Sequence, residues 1–210
     1  YEVQGYINSE KAVAALENYK KLYGLTPPGW AKTFFVENNQ AITEGLAAMS
    51  MNYFAFFPAL LNEASNPNAA NTGFFANPAG PGGDQFAALG GQGISIVSYS
   101  ENQEESMKFL EWFIKDETQK RWAELGGYTA SAAVLQSEEF RKATPYNEAF
   151  YQTMFKVKDF WAVPEYAELL NAANQRIYPY IVGGEGTAKE ALDALAGDWE
   201  ATFKKYGRTK

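Results

Sequence analysis

Gly45-Leu46-Ala47-Ala48-Met49-Ser50-Met51-Asn52-Tyr53-Phe54-Ala55-Phe56-Phe57-Pro58 is the stretch on which the reading of this fold turns. A helical pattern over 36–44 stops at Gly45. Small residues then predict a strand over 47–52. Four aromatics, Tyr53, Phe54, Phe56 and Phe57, crowd its carboxyl end. Open α/β sheets bind ligands in the crevice beyond the carboxyl ends of their strands. Aromatics there can cover the apolar face of a ligand such as a sugar ring. Taken alone, the same aromatics read more readily as core, because a short apolar run does not name its neighbours.

Outward from this stretch, the pattern is mostly helical. Ser9 caps a helix that runs to about Tyr23 and ends at Gly24. Pro27-Pro28-Gly29-Trp30 is a loop with an aromatic at its tip, and 60–63 predicts a short helix. Phe74-Phe75 reads as a short strand leading into an obligatory loop at 77–83. Gly90-Gly91-Gln92-Gly93 is a glycine turn, followed by a buried-type strand over 94–97. Ser100 and Gln103 predict a capping box for a helix to about Lys115, with Met107, Leu110 and Ile114 on its buried face and Phe109 and Phe113 alongside. A second helix starts at Asp116 and ends at Gly126-Gly127. Further helices are expected over 146–158 and from Pro164 to Ile177. Thr187 and Glu190 cap a terminal helix whose buried face carries Leu192, Leu195, Trp199, Phe203 and Tyr206.

Composition excludes several function classes. The 210 residues suffice for one large or two small domains and carry a net charge of −7. That charge opposes nucleic-acid binding, which needs a basic stripe. There is no Cys and no His, which removes thiol nucleophiles, Ser-His-Asp triads, most zinc sites and disulfides. No cofactor motif is present. Gly90-Gly91-Gln92-Gly93 lacks the lysine and spacing of a phosphate loop and precedes a strand, so close approach of backbone to a ligand, or a tight turn, is the better reading. Glu104-Glu105, Glu138-Glu139 and Glu165/Glu168 lie on helix-like polar segments and read as solvated faces rather than a glycosidase acid pair. The 13 Tyr and 5 Trp supply flat, polar-edged surface suited to wet clefts. No apolar run approaches the roughly 20 residues of a membrane helix. No signal peptide is present, and the opening Tyr1-Glu2-Val3-Gln4-Gly5-Tyr6 reads as mid-protein sequence, so the chain is expected to be a fragment or processed product.

Five motifs occur in one order. Gly45-Leu46-Ala47-Ala48-Met49 is a G-x-x-A-M step. Pro78-Ala79-Gly80-Pro81-Gly82-Gly83 is a P-x-G-P-G-G loop, and Gly90-Gly91 through Ile96 is G-G-x-x-x-x-I. The helix from Ser100 through Ile114 carries S-x-N-x-E-x-A-x-x-F-x-x-F, with Ser106 for Ala and Trp112 for the last Phe. Gly184 through Leu192 is G-x-x-T-x-x-E-A-L. This set resembles the C-terminal portion of bacterial extracellular solute-binding proteins of family 1, the sugar-binding subunits of ABC importers. The family's G-G-x-P turn reads Gly126-Gly127-Tyr128-Thr129 here, and the Trp that often follows A-M is replaced by Tyr53 or Phe54.

The resemblance implies an α/β, periplasmic-binding-protein-like type II fold, here mainly the helix-rich C-terminal lobe with a partial N-terminal-lobe segment. By the family pattern, 1–71 and 118–210 form the C-terminal lobe and 72–117 belongs to the N-terminal lobe. It also implies non-catalytic capture of a sugar, oligosaccharide or polyol in an interlobe cleft and delivery to an ABC importer permease. The ligand contacts it implies are Tyr53, Phe54, Gly91, Gln92, Tyr128 and Trp161, with Trp30 as an outlying candidate. Trp112, Trp122 and Trp199 read as core. The implied location is periplasmic, or extracellular and membrane-anchored in a Gram-positive source. Membrane association is then expected only through the permease or a missing N-terminal anchor. The rival readings are a glycan-active enzyme domain and a helical protein-interaction domain.

Overall fold

In a computed structural model of the chain, residues 1–208 are described. They divide into two units, Tyr1–Thr33 with Trp161–Lys210, and Phe34–Phe160. These boundaries differ from the lobe assignment above, which concerns the longer family fold.

The first unit contains helix α1 (Glu10–Tyr23), a 3-10 turn Trp30–Lys32, α8 (Tyr166–Tyr178) with a π-helical extension Pro179–Gly183, and α9 (Ala188–Lys205). The caps form as their residues require. Ser9 Oγ accepts the Ala12 N–H, and at α9 the Thr187 side chain accepts the Glu190 N–H while the Glu190 carboxylate accepts the Thr187 N–H. Leu192, Leu195, Ala196, Trp199 and Phe203 recur at helical spacing on one face of α9. They bury against Leu169, Tyr180, Ile181, Leu16 and Val3. Trp199 is core as expected, and its indole N–H donates to the Leu169 carbonyl at 2.9 Å. Tyr206 lies past the helix end and is largely exposed.

The second unit contains α2 (Phe35–Thr43), a 3-10 helix Phe54–Leu61, the two-residue strand β1 (Ala87–Ala88), α3 (Gln103–Phe113), α4 (Asp116–Glu124), α5 (Ala132–Gln136), α6 (Glu138–Lys142), α7 (Asn147–Met154) and the strand β2 (Val157–Lys158). The two strands pair in parallel with Ala87 opposite Val157 and Ala88 opposite Lys158. Its core is an aromatic cluster. Phe54 packs on Phe57 and Phe150, Phe57 on Phe74 and Tyr146, and Phe150 on Tyr128 and Phe140.

Several sequence expectations are corrected here. The stretch 47–52 forms no strand. It is tied to α2 instead: the Ala47 N–H donates to the Ala41 carbonyl, Asn38 donates to the Met51 carbonyl, and the Asn52 side chain donates to the Phe35 carbonyl at 2.9 Å. Phe74-Phe75 and 94–97 also lack ladders, and Ile94 and Val97 are exposed. The short helix expected over 60–63 begins earlier, as the 3-10 helix Phe54–Leu61, which accommodates Pro58.

The Ser100/Gln103 capping box does not form. Ser100 Oγ accepts the Asn102 N–H, making a turn, and the Gln103 amide reaches back to the Ser98 carbonyl, so α3 begins at Gln103. The apolar face of α3 is uncovered, with Ile114 71% exposed and Met107, Phe109 and Trp112 about half exposed. Trp122 is likewise not core. The helix expected over 146–158 stops at Met154, because Val157 and Lys158 turn out to pair with β1.

Candidate functional site

The side chains nominated from sequence fall into two sets. In the second unit, β1 delivers the chain directly into the glycine turn: the Leu89 N–H donates to the Lys158 carbonyl, and Gly90 follows. Gly90 rests on the Tyr53 ring. A Cβ built on Gly90 would lie 2.6 Å from Tyr53 Cε1, so any larger residue there would have to displace the ring. The contact brings Gly91 and Gln92 to the Tyr53 ring's neighbourhood. Both are exposed, and the Gln92 amide has no protein partner among the described residues.

Tyr53 is held from beneath. Its N–H donates to Asn52 Oδ1, Asn52 donates to Asn39 Oδ1, and the buried Asn39 donates to the Phe56 carbonyl at 2.6 Å. Its ring stands edge-on to Phe35 at 5.4 Å. Asn39 is buried yet left no periodic signal in the sequence.

Phe54 and Tyr128 come together, as structural partners. The Tyr128 hydroxyl donates to the Phe54 carbonyl at 2.6 Å. Burial raises the Tyr128 phenol well above the usual tyrosine range, with Tyr146 adding to the effect, so the hydroxyl stays protonated and keeps donating. Behind it the Gly126-Gly127 turn sits on Trp122, whose indole N–H donates to the Tyr128 carbonyl at 3.1 Å. The buried Gln119 binds the Phe113 carbonyl and accepts from Thr129, fixing the same turn.

In the first unit, Trp161 is half exposed and stands T-shaped on Trp199 with ring centroids 4.9 Å apart. Trp30 is half-buried in the 3-10 turn that follows Gly29, whose φ of 82° requires glycine. No ring contact joins Trp30 to Trp161. Two open hollows lie elsewhere. One of about 290 Å³ is lined by Ile94, Ile96, Val97, Phe109 and Leu110, between the uncovered α3 face and the 94–97 segment. Another of about 610 Å³ lies between Tyr1, Val3 and the outer side of α9 at Gly197, Glu200 and Lys204. Neither contains a residue nominated from sequence. Among the described residues no group of three His, Cys, Asp or Glu could hold a metal ion.

The model of the family described as "Bacterial extracellular solute-binding protein" matches residues 1–149. The chain belongs to this family. A relative of the solute-binding protein, the "Probable ABC transporter-binding protein" of Deinococcus radiodurans, is 29% identical over 146 residues, which are 69% of this chain and 35% of that protein. Among solved structures, maltose-bound T. maritima MalE3 matches with a TM-score of 0.79 at 23% identity, over 93% of this chain and 51% of that one. At that identity the likeness shows the fold, periplasmic-binding-protein-like α/β with helices predominating. The solute-binding protein chain thus spans about a third of the one relative and half of the other.

Proposed function

We propose that the full-length protein captures a carbohydrate without chemically altering it and hands it to an ABC importer permease, in the periplasm or at the outer face of an anchoring membrane. The observation that carries this is the Gly90–Tyr53 contact, which presents an aromatic ring beside the exposed Gly91 backbone and an unpartnered Gln92 amide. Family membership and the maltose carried by the MalE3 structure support the same reading. Tyr53, Gly91 and Gln92 are the proposed contacts in the second unit, with Phe54 and Tyr128 shaping the wall behind Tyr53. Trp161 and Trp30 are proposed from the first unit. Stacking one ring on a sugar's C–H face removes apolar surface from water at about 25 cal/mol per Å² covered.

The lobe assignment stands as part of this proposal: 1–71 and 118–210 in the C-terminal lobe and 72–117 in the N-terminal lobe of the whole protein. The uncovered apolar face of α3 within 72–117 supports it.

Isothermal titration of the full-length protein against mono- and oligosaccharides, polyols and glycosides tests the reading. Saturable binding of a carbohydrate, weakened about tenfold or more by Tyr53→Ala, is the expected result. Turnover of any glycan would reject the non-catalytic reading, and silence across the panel would reject carbohydrate as the ligand class.

A further inference from the structure

We infer that Arg208, three residues beyond the last helix, is a positioning residue for the Trp161 indole, acting through the buried Glu165 carboxylate. Its relevance to ligand affinity rests on the proposed carbohydrate reading; its effect on the indole does not.

The argument begins with the way α9 ends. Gly207 adopts a φ of 66°, its N–H donates to the Lys204 carbonyl, and the Arg208 N–H donates to the Phe203 carbonyl at 2.8 Å. These are the two bonds of a Schellman motif, and they reverse the chain so that residue 208 folds back along the helix. Arg208 then meets Glu165, with Nε to Oε1 at 2.8 Å and Nη2 to Oε2 at 3.3 Å. The Glu165 side chain has no solvent exposure, so its charge has no water to fall back on, and the two-pronged guanidinium fixes its orientation as a single ammonium would not.

Glu165 stands four residues after Trp161, and the intervening chain has little slack. The Val163 N–H donates to the Trp161 carbonyl at 2.9 Å, the Tyr166 N–H to the Val163 carbonyl at 3.1 Å, and Pro164 has a locked φ. Glu165 is also the cap of α8. Fixing its carboxylate therefore fixes where the 161–165 segment leaves the helix, and so where the Trp161 ring meets Trp199 on α9.

The α8–α9 pair has a separate tie. Glu168 accepts from Thr202, Lys205 and Tyr206 one turn further on, so loss of Arg208 leaves the helices fastened and frees chiefly the segment that carries Trp161.

The test is fluorine NMR of the full-length protein labelled with 5-fluorotryptophan, each indole assigned by its Trp→Phe variant. In Arg208→Gln the Trp161 and Trp199 resonances are expected to shift or broaden while those of Trp30, Trp112 and Trp122 stay in place. Arg208→Lys, which keeps the charge and loses the fork, is expected to move Trp161 by less, and it decides the matter alone should the glutamine variant fail to fold. An unmoved Trp161 resonance, or equal movement of all five, overturns the inference. Carbohydrate affinity is measured on the same samples. A Trp161 shift with about a tenfold weaker affinity supports both positioning and the binding reading. A Trp161 shift with unchanged affinity supports positioning and removes Trp161 from the ligand contacts.

Discussion

The Tyr128 hydroxyl donates to the Phe54 carbonyl at 2.6 Å, joining positions 74 residues apart. The bond ties the turn after α4 to the start of the 3-10 helix, one residue beyond Tyr53. Two residues nominated as ligand contacts are thereby engaged with each other.

Tyr128→Phe removes that bond and the hydroxyl's interaction with Tyr146. It is expected to lower unfolding stability by about 1 kcal/mol, the net contribution of one hydrogen bond. Burial raises the phenol's folded pKa above its unfolded value of 10.0. The associated stability is therefore fully present at neutral pH and lost only as pH climbs above the ordinary tyrosine range. Denaturant melts of the wild type and the variant should run parallel from neutral pH upward and converge at strongly alkaline pH.

The same turn supports a second test. A Cβ on Gly127 would lie 2.2 Å from Trp122 Cε2, so Gly127→Ala must displace the indole. A cost of about 1–3 kcal/mol is expected, the usual range for forced overpacking. In a Trp122→Ala background the obstruction is gone, and the added cost of Gly127→Ala should fall below about 0.5 kcal/mol. Equal costs in both backgrounds would mean that the glycine answers to something other than the ring.

Legibility in the sequence followed how local each signal was. Ser9, Thr187 with Glu190, and Gly24 act within one turn, and the helices they bound lie where their residues place them. The strands were not legible, because a strand exists only with a partner. Residues 47–52 carry a strand-like composition but are bonded by Asn38 and Asn52 side chains, while Ala87–Ala88, which carry little β preference, pair with Val157–Lys158. The apolar face of α3 was legible as a face and silent on whether anything covers it. Within the site, Tyr53 could be found by its place after a small-residue run. Its support Asn39, and Gln119 behind the Tyr128 turn, could not, because a single buried polar residue has no period.

Acid should loosen the first unit only as pH falls into and below the range in which carboxylates titrate in an unfolded chain. Arg208 beside Glu165, Lys205 beside Glu168, and Arg176 beside Asp198 each hold the carboxyl below its ordinary range. A depressed folded pKa contributes stability above the unfolded pKa and loses it as pH falls through the folded one. The window therefore opens near pH 4.5, the unperturbed glutamate value, and extends below it. Urea midpoints should be flat from neutral pH down to about pH 5 and then fall. Glu165→Gln should show a lower midpoint at neutral pH and a shallower fall in acid; an acid slope identical to wild type would remove Glu165 from the set.

Gly90 and Gly91 separate folding from binding at adjacent positions. A Cβ at Gly90 strikes the Tyr53 ring, whereas one at Gly91 meets nothing within 4 Å. Gly90→Ala is accordingly expected to cost about 1–3 kcal/mol of stability through the displaced ring. Gly91→Ala should stay within about 0.5 kcal/mol of wild type, as an exposed substitution does. Both should weaken carbohydrate binding, the first by moving Tyr53 and the second by placing a methyl group where the ligand approaches the backbone. A Gly91→Ala protein that melts as wild type and binds as wild type would take the glycine turn out of the site. Tyr53 would then be left with only its asparagine supports, and the ligand would have to be sought on another face of the unit.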